Sequence, residues 1–241
     1  MVLKLAIEGG GKLDFQVRKV LNAGYTARDQ SGVQKHIEEL KKEGIPAPKS
    51  NPILYPKIAD RITTSDKIEV LTENTTSGEV EFVLLFDQYK IYVGVGSDHT
   101  DRKLEQHNIL AAKQMCVNVI STRVWRYQEV VDHWDDLILR SWVEKEEQRE
   151  LYQEARLETY MKVEDLITMV KGEVTGDLSG MVFYGGTIPV LSGEICFSRL
   201  ISGTIINYYY LVSKFCGFSH YLTNKLLLVI GRNTSCDLVF H

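Results

Sequence analysis

The chain has 241 residues, of which 44% are hydrophobic and 25% charged, a composition typical of a globular protein with one sizeable core. The formal net charge is −4 and lysine and arginine are scattered along the chain, so the sequence lacks the basic stripe that nucleic acid or an anionic membrane surface would require. The composition therefore favours a small-molecule or protein partner and argues against nucleic-acid and membrane binding.

The N-terminal sequence carries too short an apolar run before Glu8 to predict a secretory signal. No later apolar stretch approaches the ~18 residues that a membrane-spanning helix needs. The four cysteines include no C-x-x-C pair, which predicts reduced thiols rather than a structural zinc site. We therefore expect a cytoplasmic protein.

The first segments of the chain predict a hairpin followed by a helix. Residues 3–17 alternate in polarity on both sides of a glycine-rich turn, which favours a β-hairpin. Val33, Ile37 and Leu40 then recur at helical spacing, so we expect a short amphipathic helix over about residues 29–43. The prolines that follow predict extended or irregular chain up to about residue 57.

The middle of the chain alternates between strand and helix signals. The runs EVEFVLLF and KIYVGVG flank a short polar turn and predict an antiparallel hairpin. A helix is expected to begin near Thr100 and to continue through LEQHNILAAKQM. Residues 135–143 alternate like a strand, residues 144–161 are helical by composition, and residues 163–170 predict a further helix.

The last third of the chain is β-rich. From residue 176 onward, short β-like runs are separated by glycine pairs, which is typical of a folded-over sheet rather than a doubly wound one. Residues 213–241 carry no clear periodicity and are left as an unassigned C-terminal tail. We therefore expect an α+β, β-rich fold with an N-terminal β-hairpin at residues 1–22 and one main domain at residues 23–212.

Three carboxylates within the predicted hairpin form a candidate metal site. Glu79 and Glu81 are two apart on a strand, so their side chains share one face. The return of the chain places Asp98 across from Glu79. An all-carboxylate set suits Mg²⁺, Mn²⁺ or Ca²⁺ better than zinc or copper. The alternative is that this face of the strand is solvated and holds no metal.

Further short motifs surround these carboxylates in a fixed order. They are His36-Ile37-Glu38-Glu39, Glu79-Val80-Glu81-Phe82, Ser97-Asp98-His99-Thr100-Asp101-Arg102, Lys113 in KQMC, and Gly186-Thr187-Ile188-Pro189. In order and spacing they resemble the H-x-x-E lid helix, the E-x-E strand, the N-D-x-T-x-R segment, the downstream lysine and the G-T-P turn of the fumarylacetoacetate hydrolase superfamily. The resemblance is to its C-terminal catalytic domain, in a bacterial or archaeal branch other than the hydrolases of known substrate.

The resemblance carries expectations about fold and site. It implies a mixed β-roll with a few short helices, a lid helix at about residues 29–43, and a homodimer. It implies a metal site for Mg²⁺ or Mn²⁺, with Ca²⁺ as an alternative, and a catalytic dyad in which Glu39 orients His36. The implied metal ligands are Glu79, Glu81 and Asp98, and the implied substrate-binding residues are Arg102, Lys113 and Thr187. For Arg102, orientation of a metal-bound carboxylate is an open alternative.

The activity that the resemblance implies is the conversion of a keto acid or β-diketo acid through a metal-stabilised enolate, with C–C bond hydrolysis as the leading reaction. A decarboxylase, hydratase, dehydratase or tautomerase of a 2-keto acid stays open, since each passes through a similar intermediate. A small-molecule-binding protein without turnover is the alternative of a different class. Three departures from the family pattern leave the substrate open: Ser97 in place of asparagine, the replacement of the Phe-Asp of the lysine segment around Gln114 and Met115, and Ile188 between Thr187 and Pro189.

Overall fold

A computed structural model describes residues 1–42, 48, 50–198, 200–207 and 214–223, with only the backbone described at residues 35, 36, 39–42, 73 and 214–223. The strands are β1 (Val2–Ile7), β2 (Lys12–Gln16), β3 (Lys19–Gly24), β4 (Ile53–Lys57), β5 (Ile62–Thr63), β6 (Lys67–Glu69), β7 (Thr76–Ser77), β8 (Val80–Asp87), β9 (Lys90–Asp98), β10 (Thr100–Asp101), β11 (Asn118–Ile120), β12 (Arg123–Arg126), β13 (Ile138–Lys145), β14 (Gln148–Arg156), β15 (Met181–Tyr184), β16 (Leu200–Asn207) and β17 (Lys214–Thr223). The α-helices are α1 (Gln30–Lys42), α2 (Arg102–Glu105), α3 (Ile109–Met115) and α4 (Val163–Glu173).

The strands form one large curled sheet and two smaller sheets. The large sheet runs β2-β1-β12-β9-β8-β15-β3-β4, and β11 joins it by pairing with both β9 and β5. A second sheet runs β14-β13-β16-β17-β6, and β10 pairs with β7 alone. Most pairs are antiparallel; the parallel pairs among the described strands are β1 with β12, β15 with β3, β11 with β5, and β17 with β6. The architecture is β-rich with few helices, as the sequence predicts.

The large sheet is covered on both faces. On β8, Phe82 and Leu84 pack into one apolar cluster, whereas Val83 and Leu85 pack into another on the opposite face. A strand buried on both faces reads as a continuous apolar run, which explains the sequence of β8. Glu81 shares the face of Val83 and Leu85 because side chains alternate along a strand.

Several predicted elements are confirmed. The β1–β2 hairpin pairs Val2 with Gln16, and β1 also pairs with β12, so this hairpin is an edge of the large sheet. The β8–β9 hairpin is antiparallel through its whole length. Helices α1 and α4 lie where the spacing of apolar residues predicts them. No helix among the described residues is long and apolar enough to cross a membrane.

The helix expected after Thr100 is divided in two. The side chain of Asp101 accepts hydrogen bonds from the backbone N–H groups of Lys103 and Leu104, at 3.0 and 3.1 Å, and begins α2. Asn108 does the same for α3 through the N–H of Ala111, at 3.0 Å. The second cap fixes a new helix start, so α2 and α3 are separate helices.

The helical interpretation of residues 144–161 is wrong. This segment turns at Glu146 and Glu147, whose φ angles are 50° and 65°, and returns as β14 along β13. Two successive residues at positive φ suit a tight hairpin, but glutamate is an unusual residue there. The charged composition favoured a helix, and pairing with β13 overrode that propensity.

The C-terminal part of the chain contributes to the second sheet. β17 pairs antiparallel with β16 and parallel with β6, so it forms a strand within the segment that the sequence left unassigned. Residues 224–241 lie outside the described part. Cys116 and Cys196 are free thiols, and the side chains of the other two cysteines are not among those described.

Candidate metal centre

The structure brings Glu79, Glu81 and Asp98 together where β8 begins and β9 ends. The N–H of Asp98 donates to the carbonyl of Glu79 at 3.1 Å, which fixes the register of the two strands here. One carboxylate oxygen of each residue lies within 4.8 Å of the others. Glu81 is 2% exposed and Asp98 fully buried, so the alternative of a solvated strand face does not describe this cluster.

Two buried lysines flank Asp98. The ammonium group of Lys113 contacts Asp98 Oδ2, and that of Lys57 lies 3.6 Å from Oδ1. Burial alone would raise the pKa of Asp98, but the two lysines outweigh burial and lower it. Burial would likewise lower the pKa of Lys113, but Asp98 and Glu79 raise it above its ordinary value. Asp98 and Lys113 are therefore both charged at neutral pH.

Glu81 is in the opposite electrostatic situation. Burial, followed by the nearby charges of Asp98 and Glu79, raises its pKa well above the ordinary value. The N–H of Gly186 donates to Glu81 Oε2 at 2.8 Å and holds the carboxyl in place. Glu81 is therefore most readily ionised when a further positive charge enters the cluster.

The donor set fits a hard divalent cation. All three side chains offer oxygen, the ligand that Mg²⁺, Mn²⁺ and Ca²⁺ prefer. Oδ1 of Asp98 is buried and accepts no hydrogen bond from the described residues, so it is available as a ligand. A cation here would also relieve the repulsion that raises the pKa of Glu81.

Arg102 is held by three neighbours. Its Nε donates to Ser77 Oγ at 2.7 Å, its Nη1 pairs with Glu105 at 2.9 Å, and its Nη2 pairs with Glu79 at 3.0 Å. Burial would lower the pKa of Arg102, but Glu79 and Glu105 raise it. Of the two roles that the sequence leaves open for Arg102, these contacts favour orientation of Glu79.

The other predicted residues occupy different positions. Thr187 lies in the turn after β15, and its hydroxyl donates to the carbonyl of Val80 at 3.1 Å. His36 and Glu39 lie on α1, but their side chains are outside the described part, and their dyad stays a prediction. His99 is fully buried, and burial lowers its pKa to about 4.

Sequence reasoning missed Lys57 and Tyr55. Lys57 donates to the carbonyl of Lys113, in addition to its ion pair with Asp98, and the Tyr55 ring centroid lies 5.6 Å from the ammonium of Lys113. Both are buried on β4. The sequence ILYPK carried a signal for this pair, because two residues that are two apart on a strand, here Tyr55 and Lys57, point to the same face.

The family model that matches this chain covers residues 23–204 and is described as protein of unknown function, DUF2848. The chain belongs to the DUF2848 family. No curated protein matches the sequence. The match includes every residue of the carboxylate cluster and excludes the β1–β2 hairpin.

Solved structures share the fold of this DUF2848 protein. A candidate fumarylpyruvate hydrolase from Burkholderia cenocepacia has a TM-score of 0.64 at 17% identity, covering 94% of this chain and 96% of its own. A candidate fumarylacetoacetate hydrolase family protein from Yersinia pestis CO92 has a TM-score of 0.63 at 17% identity, covering 91% and 100%. A 2-keto-3-deoxyarabinonate dehydratase has a TM-score of 0.62 at 13% identity, covering 88% and 76%. These likenesses confirm the predicted fumarylacetoacetate hydrolase-like fold as a fold, without its finer detail.

Proposed function

We propose that this DUF2848 protein is a divalent-metal-dependent enzyme that acts on a keto acid or β-diketo acid, with C–C bond hydrolysis as its leading reaction. The observation that carries the proposal is the cluster of Glu79, Glu81 and Asp98, in which Glu81 and Asp98 are buried. Its support is the shared fold, since one similar structure is a candidate fumarylpyruvate hydrolase and another is a 2-keto-3-deoxyarabinonate dehydratase.

The three carboxylates would hold Mg²⁺ or Mn²⁺, with Ca²⁺ as an alternative. Such an ion supplies Lewis acidity that stabilises negative charge developing on a carbonyl oxygen. The protein keeps Asp98 ready for it, because Lys57 and Lys113 maintain this residue as a carboxylate. Arg102 orients Glu79 from outside the cluster.

Lys113 and Thr187 are the proposed substrate contacts. Lys113 is charged and lies between Asp98, Glu79 and the Tyr55 ring, so it offsets the charge of an anionic substrate near the cluster. Thr187 is exposed between two buried residues. A carboxylate of the substrate would be held there by its hydroxyl and by backbone N–H groups beside it, other than that of Gly186, which donates to Glu81. Substrate binding through the hydroxyl proton requires Thr187 to release the carbonyl of Val80.

His36 and Glu39 are proposed to move the proton. They are three residues apart on α1 and therefore share one face of the helix. In the hydrolytic reaction, Glu39 orients the imidazole and His36 takes a proton from the water that attacks a substrate carbonyl. Cleavage of the adjacent C–C bond leaves an enolate, which recovers a proton to give the second product.

A second reaction on the same site is dehydration of a 2-keto acid, which the dehydratase among the similar structures favours. Decarboxylation and tautomerisation use the same stabilised charge. A binding protein without turnover is the alternative outside enzymology. We further propose a homodimer, on the family resemblance, which light scattering after gel filtration would test. A cytoplasmic location stays a proposal from the sequence.

The proposed function is tested by turnover. The protein loaded with Mn²⁺ is incubated with acylpyruvates and with 2-keto-3-deoxy sugar acids, and the products are identified by mass spectrometry. Hydrolysis yields two smaller acids from one acylpyruvate, and His36→Ala abolishes it. Absence of turnover on every keto acid by a protein that binds the cation would favour the binding protein instead.

A further inference from the structure

A buried glutamine outside the carboxylate cluster connects the segments that build it. Gln153 on β14 is 1% exposed. Its Oε1 accepts hydrogen bonds from the Val80 N–H at 3.3 Å and from Ser141 Oγ at 2.8 Å. Its Nε2 donates to the Ile188 carbonyl at 2.6 Å and to Thr187 Oγ1 at 2.9 Å. A side-chain amide offers two donors and one acceptor oxygen with two lone pairs, so its full capacity is used.

Three of the hydrogen bonds in this region close a ring. Gln153 donates to Thr187, the Thr187 hydroxyl donates to the Val80 carbonyl, and the Val80 N–H donates back to Gln153. Val80 is the residue between Glu79 and Glu81. The ring therefore fixes both peptide units that aim these two carboxylates.

The ring also affects Glu81 through the turn that contains Thr187. Gly186 precedes Thr187 and donates its N–H to Glu81 Oε2 at 2.8 Å. Gly186 has a φ of 91°, and a Cβ there would lie 2.6 Å from Thr26 Oγ1, so only glycine suits the turn. Because Gln153 holds the residues after Gly186, it stabilises the turn that holds Glu81.

An irregularity in β14 turns Gln153 inward. The register with β13 shifts so that Ser141 faces Gln153 and Trp142 faces Leu151, which leaves Tyr152 as an extra residue. Tyr152 and Gln153 are both buried, whereas a regular strand would turn one of them outward. Bulges of this kind reorient a side chain and are common beside functional sites.

We propose that Gln153 is a positioning residue for the metal centre, which sets the geometry of Glu79 and Glu81 through Val80 and Thr187. The inference rests on the proposed function, because it concerns cation binding by the same carboxylates. It goes beyond that function by assigning a role to a residue that touches neither the cation nor the substrate.

The test is the affinity for Mn²⁺, measured by calorimetric titration on the purified chain with no substrate present. Gln153→Met removes the amide and keeps the length of the side chain. Its Mn²⁺ dissociation constant should rise about 10–100-fold, as is typical when a residue that orients a metal ligand is lost. Thr187→Val opens the same ring and should weaken binding in the same direction. The double variant should bind no more weakly than the weaker single one, since the ring opens only once.

The matched control is Tyr152→Phe, which removes a buried hydrogen-bonding group from the same bulge, where the Tyr152 hydroxyl accepts from the Cys196 N–H. It should bind Mn²⁺ like the wild type. A purely structural role for Gln153 would lower the unfolding temperature in chelator and leave the dissociation constant unchanged, which would overturn the inference.

The remaining outcomes separate failure of this inference from failure of the proposed function. If Gln153→Met does not fold, Thr187→Val at its exposed position carries the test, and wild-type affinity in that variant contradicts the inference. Failure of the wild type to bind Mn²⁺ contradicts the proposed function and this inference together. Wild-type binding that both ring variants retain contradicts the inference alone.

Discussion

Glu81 is the residue whose protonation responds most directly to a cation. Its buried position and its two acidic neighbours raise its pKa, whereas the lysines beside Asp98 lower that of Asp98. One carboxyl group of the cluster is thus held ionised, and another stays protonated to a higher pH than an ordinary glutamate. The cluster is therefore partly neutralised when no cation is bound.

Cation binding should release a proton from Glu81, because a ligand carboxyl must be ionised. Mn²⁺ affinity should accordingly rise with pH from the ordinary glutamate range upward. Calorimetric titrations in buffers of different ionisation enthalpy measure the proton count. Glu81→Gln should lose the release, and a wild-type titration with no proton release would contradict the assigned protonation of Glu81.

His99 should make the cation-free protein less stable in mild acid. Its pKa is lowered by burial from 6.5 to about 4, so the unfolded chain takes up the proton first as the pH falls. The contribution of neutral His99 to the free energy of unfolding is present above the unfolded-state pKa of 6.5 and is lost as the pH falls towards 4. Between pH 7 and 5 the loss is about 2 kcal/mol.

Urea unfolding of the wild type and of His99→Gln, in chelator at both pH values, measures this loss as a difference between the two proteins. His99→Gln has no titratable side chain at this position, so its free energy of unfolding should fall less than that of the wild type between pH 7 and 5. Equal losses in the two proteins would show that His99 does not titrate as described.

At the scale of elements, strands β9 and β11 next to the carboxylate cluster approach each other closely at Gly96. A Cβ at Gly96 on β9 would lie 2.4 Å from the Val119 carbonyl oxygen and 2.7 Å from the Tyr184 ring. Neither neighbour can retreat, since one is backbone and the other is fully buried. The glycine lets β9 and β11 pair beneath the carboxylates.

Gly96→Ala should therefore destabilise the protein by about 1–3 kcal/mol or more. Gly172 in α4 provides the contrast, because a Cβ there meets nothing within 4 Å. Gly172→Ala should stabilise the protein by about 0.5–1 kcal/mol through the higher helix propensity of alanine. Thermal unfolding of both variants tests the pair, and a fully stable Gly96→Ala would contradict the described approach of β9 to β11.

The sequence predicted elements where local pattern and packing agree. The β8–β9 hairpin and helices α1 and α4 have strong periodicity, and α1 and α4 lie on the expected residues. β14 could not be predicted, because its charged residues favour a helix and only pairing with β13 makes it a strand. For the same reason Gln153 was missed, since its burial depends on a bulge that leaves no mark in the sequence.

For the whole molecule, the N-terminal hairpin belongs to the core although the family match begins after it. Five apolar side chains of this segment are buried in the cluster that lies on the Glu81 face of the large sheet: Leu3, Leu5, Leu13, Phe15 and Val17. Each contributes about 1.5–3 kcal/mol. Together the five contribute about 7.5–15 kcal/mol, which is as large as the roughly 5–15 kcal/mol that stabilises a typical domain.

Removal of residues 1–17 should therefore abolish cooperative folding rather than release an independent domain. Circular dichroism during thermal unfolding of the truncated chain measures the effect. A soluble truncated protein with a sharp transition near that of the wild type would show that the hairpin is an appendage and that residues 18–241 fold without it.

The central claim is that Glu79, Glu81 and Asp98 hold a divalent cation. It is tested most directly by thermal unfolding in chelator, in Mn²⁺, and in Mn²⁺ with oxalate as a mimic of the enolate. The unfolding temperature of the wild type should rise with Mn²⁺ and rise further with oxalate. Glu81→Ala should abolish both shifts, and Asp14→Ala, which removes an exposed carboxylate on β2, should keep them. A wild type that responds to neither Mn²⁺ nor oxalate would contradict the metal centre and the enzyme built on it.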